Sequence, residues 1–223
     1  NINWTIRTSG ISSALFHYSA AFGSSVYVIT AGGGVSTSTD SISWTIRTIP
    51  TGSPTHLIYG DRFVADNSTS LSASTDGINW ALRTTPANLI QKLSYNSTNN
   101  LYIVSQDSFD ANTAISTDTI VWIIRTTGFG TTQVTSITNS GGANAVWVAS
   151  GRSGTLATTT QTFLTSSGNG AFLGVSTDTI TWTLRTTTTN IVNINAIGNI
   201  GNYALASATN SSNEYKIIAS TDN

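Results

Sequence analysis

One short phrase recurs along this chain and restricts its fold more than any other feature. It reads STDSISWTIRT from Ser38, STDGINWALRT from Ser74, STDTIVWIIRT from Ser116 and STDTITWTLRT from Ser176. A fifth copy is divided between the two ends, because the chain opens with NINWTIRT and closes with ASTDN. The last residues supply the front half that the first phrase lacks. A chain whose end completes its beginning is expected to close a ring of repeats. Beginning in mid-phrase without Met, it also reads as a fragment, a processed product or a domain of something longer.

The phrase tryptophans are Trp4, Trp44, Trp80, Trp122 and Trp182, at spacings of 40, 36, 42 and 60 residues. Periods of about 40–45 with a Trp/Asp signature point to propeller blades of four strands. Helical repeats of this length would show a 3.6-residue apolar pattern, and none is present. The segments between phrases are short, β-branched and alternating: VYVIT (26–30), RFVAD (62–66), LYIVS (101–105), AVWVAS (145–150) and YALAS (203–207). Clusters of Gly, Asn, Ser and Thr separate them, as turns require. In the third unit the four strands A to D are LIQKLSY (89–95), LYIVS, NTAIS (112–116) and WIIRT (122–126). The expected fold is therefore all-β: a five-bladed β-propeller with four-stranded antiparallel blades. The N-terminal strand, residues 4–8, is expected to pair with the C-terminal strands and close the ring, which removes an exposed sheet edge. The blades are about 9–48, 49–84, 85–126, 127–186, and 187–223 with 1–8, in one domain.

The phrase resembles the Asp-box (BNR-type) repeat, S-x-D-x-G-x-x-W, of sialidases, sortilin-like receptors and several bacterial lectins. Ser74, Asp76, Gly77 and Trp80 match best, with one residue fewer between Asp and Trp. The resemblance covers the whole chain and implies a propeller. It implies no particular activity, because such boxes stabilise turns in proteins of unrelated function. The Asp carboxylate is expected to accept backbone N–H bonds in the turn between strands C and D. The Trp is expected to pack between blades. The architectural set is Asp40 and Trp44, Asp76 and Trp80, Asp118 and Trp122, Asp178 and Trp182, and Asp222 and Trp4. Five of the nine basic residues are repeat arginines: Arg7, Arg47, Arg83, Arg125 and Arg185. They read either as part of a structural Asp/Trp/Arg unit or as a ring that binds anions. Repeated polar pairs more often orient turns.

Charge excludes several classes of partner. The net charge is −1 and 9% of residues are charged, which argues against nucleic acid and anionic membrane surfaces. No apolar run is long enough for membrane insertion. Thr, Ser and Asn must wet the surface, a coat that suits an extracellular or virion surface. There is no Cys, so no disulfide is available. The sequons at Asn3, Asn67, Asn96 and Asn210 are those an Asn/Ser/Thr-rich chain forms by chance.

The longest unit, 60 residues, has its excess between strands B and C, about Arg152 to Gly170. In an up-and-down blade the B–C turns share a face with the D-to-A connections, and the A–B turns share the opposite face with the boxes. The insertion is read as either a ligand-binding loop or a lengthened hairpin. The candidate ligand face carries Phe129, Arg152, Gln161, Phe163, Asp107, Asp110 and Glu214. Aromatic rings would stack on sugar C–H surfaces, and short polar side chains would hydrogen-bond. Asp107 and Asp110 offer too few oxygens for calcium, which takes six or more, so no metal and no cofactor is expected. Asp66 maps to the same face and reads, with those acids, as an ordinary turn former.

An enzyme is the least favoured reading. The sialidase resemblance would require an arginine cluster, an acid/base Asp and a Tyr/Glu pair, yet Glu214 is the single glutamate. A glycosidase carboxylate pair from Asp107, Asp110 and Glu214 has nothing to single it out. His17 and His56 fall in A strands and read as packed or channel-facing residues. The expected function is a non-catalytic recognition module, binding a glycan or surface receptor on an adhesin, lectin or phage appendage. The alternative is a structural decoration or spacer domain that contacts a neighbouring structural protein.

Overall fold

The computed structural model describes residues 5–11, 16–67, 69–84, 90–106, 112–126, 133–139, 147–152, 172–176, 183–185, 191–200, 203–210, 212 and 214–220. The chain divides into two compact units, residues 1–85 and 86–223. The first holds two four-stranded antiparallel meanders. One is β1 (His17–Gly23), β2 (Val26–Ala31), β3 (Gly34–Ser38) and β4 (Thr45–Arg47); the other is β5 (His56–Tyr59), β6 (Phe63–Asp66), β7 (Leu71–Ser74) and β8 (Ala81–Arg83). The second unit holds three sheets. They are β9 (Ile90–Asn96) to β12 (Ile123–Thr126) through β10 (Leu101–Gln106) and β11 (Asn112–Ser116); β13 (Gln133–Asn139) to β16 (Thr183–Arg185) through β14 (Trp147–Arg152) and β15 (Phe172–Ser176); and a three-stranded sheet of β17 (Ile191–Ile200), β18 (Tyr203–Asn210) and β19 (Tyr215–Ser220).

Every sheet follows chain order, so within each sheet every strand pairs antiparallel with its sequence neighbour. The all-β class and the four-stranded antiparallel repeat are as the phrase spacing predicts. Strands expected at 101–105, 112–116 and 122–126 lie at Leu101–Gln106, Asn112–Ser116 and Ile123–Thr126. Of residues 4–8, expected to form an outer strand, the described 5–8 join no sheet, and Ile6 is 97% exposed.

The burial pattern explains why the middle strands lack simple alternation. Every residue of β3, β6 and β7 is buried. A strand covered on both faces needs small or apolar side chains throughout rather than at every second position. In the first unit Val28, Val35, Ile49, Leu57, Phe63 and Ala65 form one core that joins both sheets, with Tyr59 and Trp80 packed against it. Two glycines allow the approach. A Cβ on Gly23 would stand 2.2 Å from the Tyr59 ring, and one on Gly77 would stand 2.8 Å from Val28 Cγ2. Beside Gly23, Ser24 Oγ lies 3.0 Å from Tyr59 Oη and donates to Thr75 O at 2.9 Å, tying one sheet's first hairpin to the other's box.

The outer strands behave differently. The three- and four-residue strands β4, β8 and β12 are mostly exposed. Ile46, Leu82 and Ile124, at equivalent phrase positions, are 55–59% exposed. Short strands make poor templates for edge pairing, which limits the hazard of their exposed apolar residues.

The box turn returns the chain from the third strand to the fourth. In each described box the residue after Asp takes positive φ: Ser41 at 59°, Gly77 at 73° and Thr119 at 63°. Only glycine adopts this conformation without steric cost, which is about 1–2 kcal/mol for other residues. Gly77→Ala is expected to destabilise the protein by that amount and by about 1–3 kcal/mol more for overpacking against Val28. Ser41 is exposed, so Ser41→Gly relieves strain without losing packing and should stabilise by about 0.5–1 kcal/mol. Urea midpoints of the two variants should therefore move in opposite directions.

Candidate functional site

The described box aspartates Asp40, Asp76 and Asp118 are each held by hydrogen bonds within their own turn. Asp40 Oδ1 accepts from the N–H groups of Ile42 and Ser43, both at 2.8 Å, and from Ser38 Oγ at 2.9 Å. Asp76 Oδ1 accepts from Ile78 N and Asn79 N at 2.8 Å and from Ser74 Oγ at 2.9 Å. Asp118 Oδ1 accepts from Ile120 N at 2.8 Å, Val121 N at 2.9 Å and Ser116 Oγ at 3.0 Å. The box Ser is a second acceptor, holding Gly77 N at 2.9 Å and Thr119 N at 2.8 Å. In the second box Trp80 Nε1 also donates to Gly77 O at 2.9 Å. This is the role expected for Asp40, Asp76 and Asp118. Asp178, Trp182, Asp222 and Trp4 lie outside the described residues.

Those N–H bonds stabilise the ionised carboxylate. The Ser43 and Ile42 amides, with the Ser38 hydroxyl, hold Asp40 at about 2, below its ordinary 3.8. The amide of Asn79 lowers Asp76 and that of Val121 lowers Asp118 in the same way. A depressed folded-state value means the contribution is complete above 3.8 and is lost as pH falls toward about 2. The melting temperature should therefore fall across that window. Asp40→Asn should flatten the fall while lowering stability at neutral pH, as a thermal melt at each pH would show.

Arg47 Nε donates to Thr37 Oγ1 at 3.1 Å, and the Nε atoms of Arg83 and Arg125 are buried without a hydrogen-bond partner among the described residues. Arg47 thus bonds within its own sheet, Arg83 and Arg125 are half-buried, and the neighbouring Ile46, Leu82 and Ile124 are exposed.

Of the expected ligand-face residues, Asp107, Asp110, Phe129, Gln161 and Phe163 lie outside the described residues. Arg152 ends β14, opposite Gln133 in register. Strands β14 and β15 pair from Trp147↔Ser176 to Gly151↔Phe172, so the long connection at 153–171 joins neighbours within one sheet. Glu214 is exposed and committed locally: Lys216 Nζ donates to Oε2 at 2.9 Å, as does Asn210 Nδ2 at 2.8 Å. The Lys216 contact holds its carboxyl below the usual range.

The sequons serve as turns. Asn67 Oδ1 accepts from Ser70 N at 2.9 Å while its Nδ2 donates to Thr51 O. Asn96 is 1% exposed and accepts from Thr98 N at 2.8 Å. Asn210 Oδ1 accepts from Glu214 N at 2.8 Å, and its Nδ2 is held by Glu214. Asn3 lies outside the described residues.

One arrangement went unrecognised in the sequence. Asp66, read as a turn former, is instead a strand residue with no exposed surface, and it pairs across the sheet with His56. His56 Nδ1 lies 3.1 Å from both carboxylate oxygens. Thr55 closes the pair, its N–H donating to Asp66 O at 2.6 Å and its Oγ1 lying 3.4 Å from Asp66 Oδ1. A signal was available in the sequence. Aligning VYVIT, RFVAD, LYIVS, AVWVAS and YALAS at their ends places Asp66 among four hydroxyl residues.

No family profile and no curated protein matches this chain. Solved structures do. YCF48 bound to D1 peptide aligns with a TM-score of 0.64 at 10% identity, covering 96% of this chain and 70% of that one. Virginiamycin B lyase from Staphylococcus aureus aligns at 0.64 and 12%, covering 89% and 68%. An ancestral GH74 enzyme aligns at 0.63 and 14%, covering 92% of this chain and 29% of that one. These are β-propeller proteins, and the likeness is one of fold.

Proposed function

We propose that this chain is a non-catalytic recognition module that binds a glycan on the face bearing the long connection between β14 and β15. It would work on the outside of a cell or virion, as part of an adhesin or phage appendage. The observation that carries this reading is how the described acids are used. Asp40, Asp76 and Asp118 are held by backbone amides, Asp61 by Arg62 at 2.6 Å, Glu214 by Lys216, and Asp66 by His56. No group of three or more potential metal ligands occurs among the described residues. Hydroxyls, amides and aromatic rings remain as the means of recognition, and they suit an uncharged, hydroxyl-rich ligand. Shortening residues 153–171 to a tight hairpin should leave the melting temperature within a few degrees and remove glycan-array binding. Full array binding by the shortened protein would overturn the assignment to this face.

A structural spacer is the second reading. The repeated exposure of Ile46, Leu82 and Ile124 favours it, since exposed apolar side chains suit packing against a neighbouring protein. A blank array together with stable incorporation into a larger assembly would select it.

We also propose that the propeller has five blades and that residues 5–8 supply the fourth strand beside β19. The segment WTIRT from Trp4 repeats that from Trp44. Tyr215 and Ile217 on β19 are 85% and 81% exposed, as an uncovered strand would be. Transferring the β3–β4 register places Thr5 opposite Ala219 and Arg7 opposite Ile217. Since the chain has no native Cys, Thr5→Cys with Ala219→Cys should form an intramolecular disulfide on mild oxidation. Failure to cross-link within one chain would overturn closure, and cross-links only between chains would show strand exchange instead.

A further inference from the structure

His56 and Asp66 are where one repeat departs chemically from the others. The box serines fix the comparison, because each pairs with a defined residue of the second strand: Tyr27, Phe63, Tyr102, Trp147 and Ala204. Three residues further along stand Thr30, Asp66, Ser105, Ser150 and Ser207. Their partners on the first strand are Ser19, His56, Lys92, Ser136 and Ala196. Four repeats therefore fill this level with a small hydroxyl. The architecture does not need a carboxylate there, and burying one costs several kcal/mol unless it is paired. In the second sheet Asp66 is fully buried while the His56 side chain is 29% exposed.

The geometry defines what the pair presents. An ionised carboxylate only accepts, so the proton between the two groups sits on His56 Nδ1. In the neutral imidazole Nε2 then keeps its lone pair, and no described residue donates to it. This is the arrangement by which a buried acid fixes the tautomer and direction of an imidazole whose other nitrogen meets a ligand. Polar groups surround it. Thr55 Oγ1 is 3.3 Å from Nδ1, and on the neighbouring first strand Ser19 Oγ donates to Leu57 O at 3.2 Å. The loop into β5 carries Thr51, which is 4% exposed and whose Oγ1 has no partner among the described residues.

We propose that His56, positioned by Asp66, is a hydrogen-bond acceptor for the hydroxyl of a bound ligand at the end of the second sheet where β5 begins and β6 ends. This rests on the recognition reading and names a contact for it, with a sugar hydroxyl as the chemical class. Asp66 is a positioning residue, and it acts through the imidazole.

Three measurements on the full chain test this. Long-range ¹H–¹⁵N spectra at neutral pH should show His56 protonated at Nδ1 and bare at Nε2; an Nε2–H tautomer would overturn the proposal. On a glycan array, His56→Gln should lose binding at least tenfold while keeping the native circular dichroism. Unchanged array binding by His56→Gln would overturn this inference alone, whereas a blank array for the native protein would overturn the recognition reading with it. Where His56→Gln does not fold, the native protein suffices. A glycan that binds the array should protect His56 from carbethoxylation by diethylpyrocarbonate and leave His17 reactive. Equal modification of His56 with and without that glycan would overturn the contact.

Discussion

The structure depends on one capture: a single carboxylate oxygen takes two consecutive backbone amides at the turns into β4, β8 and β12. In the first box these are the amides of Ile42 and Ser43, both 2.8 Å from Asp40 Oδ1. The outer strand that follows, Thr45–Arg47, is only three residues long and mostly exposed. A strand that short buries too little surface to hold its own register. The box supplies what the strand lacks by fixing its direction and its start. It also sets the conformational demand that only Gly77 meets freely, while Ser41 and Thr119 adopt positive φ under the same hydrogen bonds. The bonds hold residues of the wrong type in the conformation the turn needs, so the phrase tolerates variation at that position.

The sequence reveals these features to different degrees, for physical reasons. Strand positions were legible because turn residues are chemically distinct from β-branched runs, and because repetition lets each unit check the others. Box chemistry was legible because a short acid two residues after Ser has few local uses other than an Asx-type turn. Asp66 was misread for a related reason. Its neighbour Asn67 is the turn former, accepting from Ser70 N, and one residue of register separates a solvent-side turn acid from a fully buried strand acid. Pattern alone does not resolve such a step, since moving by one residue exchanges the faces of a strand. The outer strand at residues 4–8 was likewise read from the phrase. The phrase specifies a sequence able to pair, and pairing also requires the partner strand beside it.

With charge on only 9% of residues, neutral groups must hold the turns and wet the surface. Asn carries much of this work. Asn67, Asn96 and Asn210 each fold their side-chain oxygen onto amides two to four residues ahead. The same Asn-x-Ser/Thr spacing that forms a sequon also forms this turn, because the short hydroxyl residues that follow leave the backbone free to curl back. Where the amide nitrogen is also bound, as in Asn67 to Thr51 and Asn210 to Glu214, the side chain has no free group for attachment. The motif thus records turn chemistry in this chain.

Repetition separates what builds the molecule from what distinguishes it. Features that recur with the phrase, such as the box acids, the repeat arginines and the exposed Ile46, Leu82 and Ile124, must satisfy conditions common to every repeat. They cannot by themselves define one specific site. A feature that occurs once is under no such condition, and it persists only where its cost is offset. A hydroxyl at the Asp66 level satisfies four repeats, so a buried acid in the second incurs a desolvation cost that architecture does not require. His56 offsets that cost through two contacts of 3.1 Å, and the same contacts leave its outer nitrogen oriented and unpaired among the described residues. The long connection between β14 and β15 breaks the symmetry of length as His56 and Asp66 break the symmetry of chemistry. A module built from near-identical sheets acquires specificity at such breaks, because only there does one repeat present something the others do not.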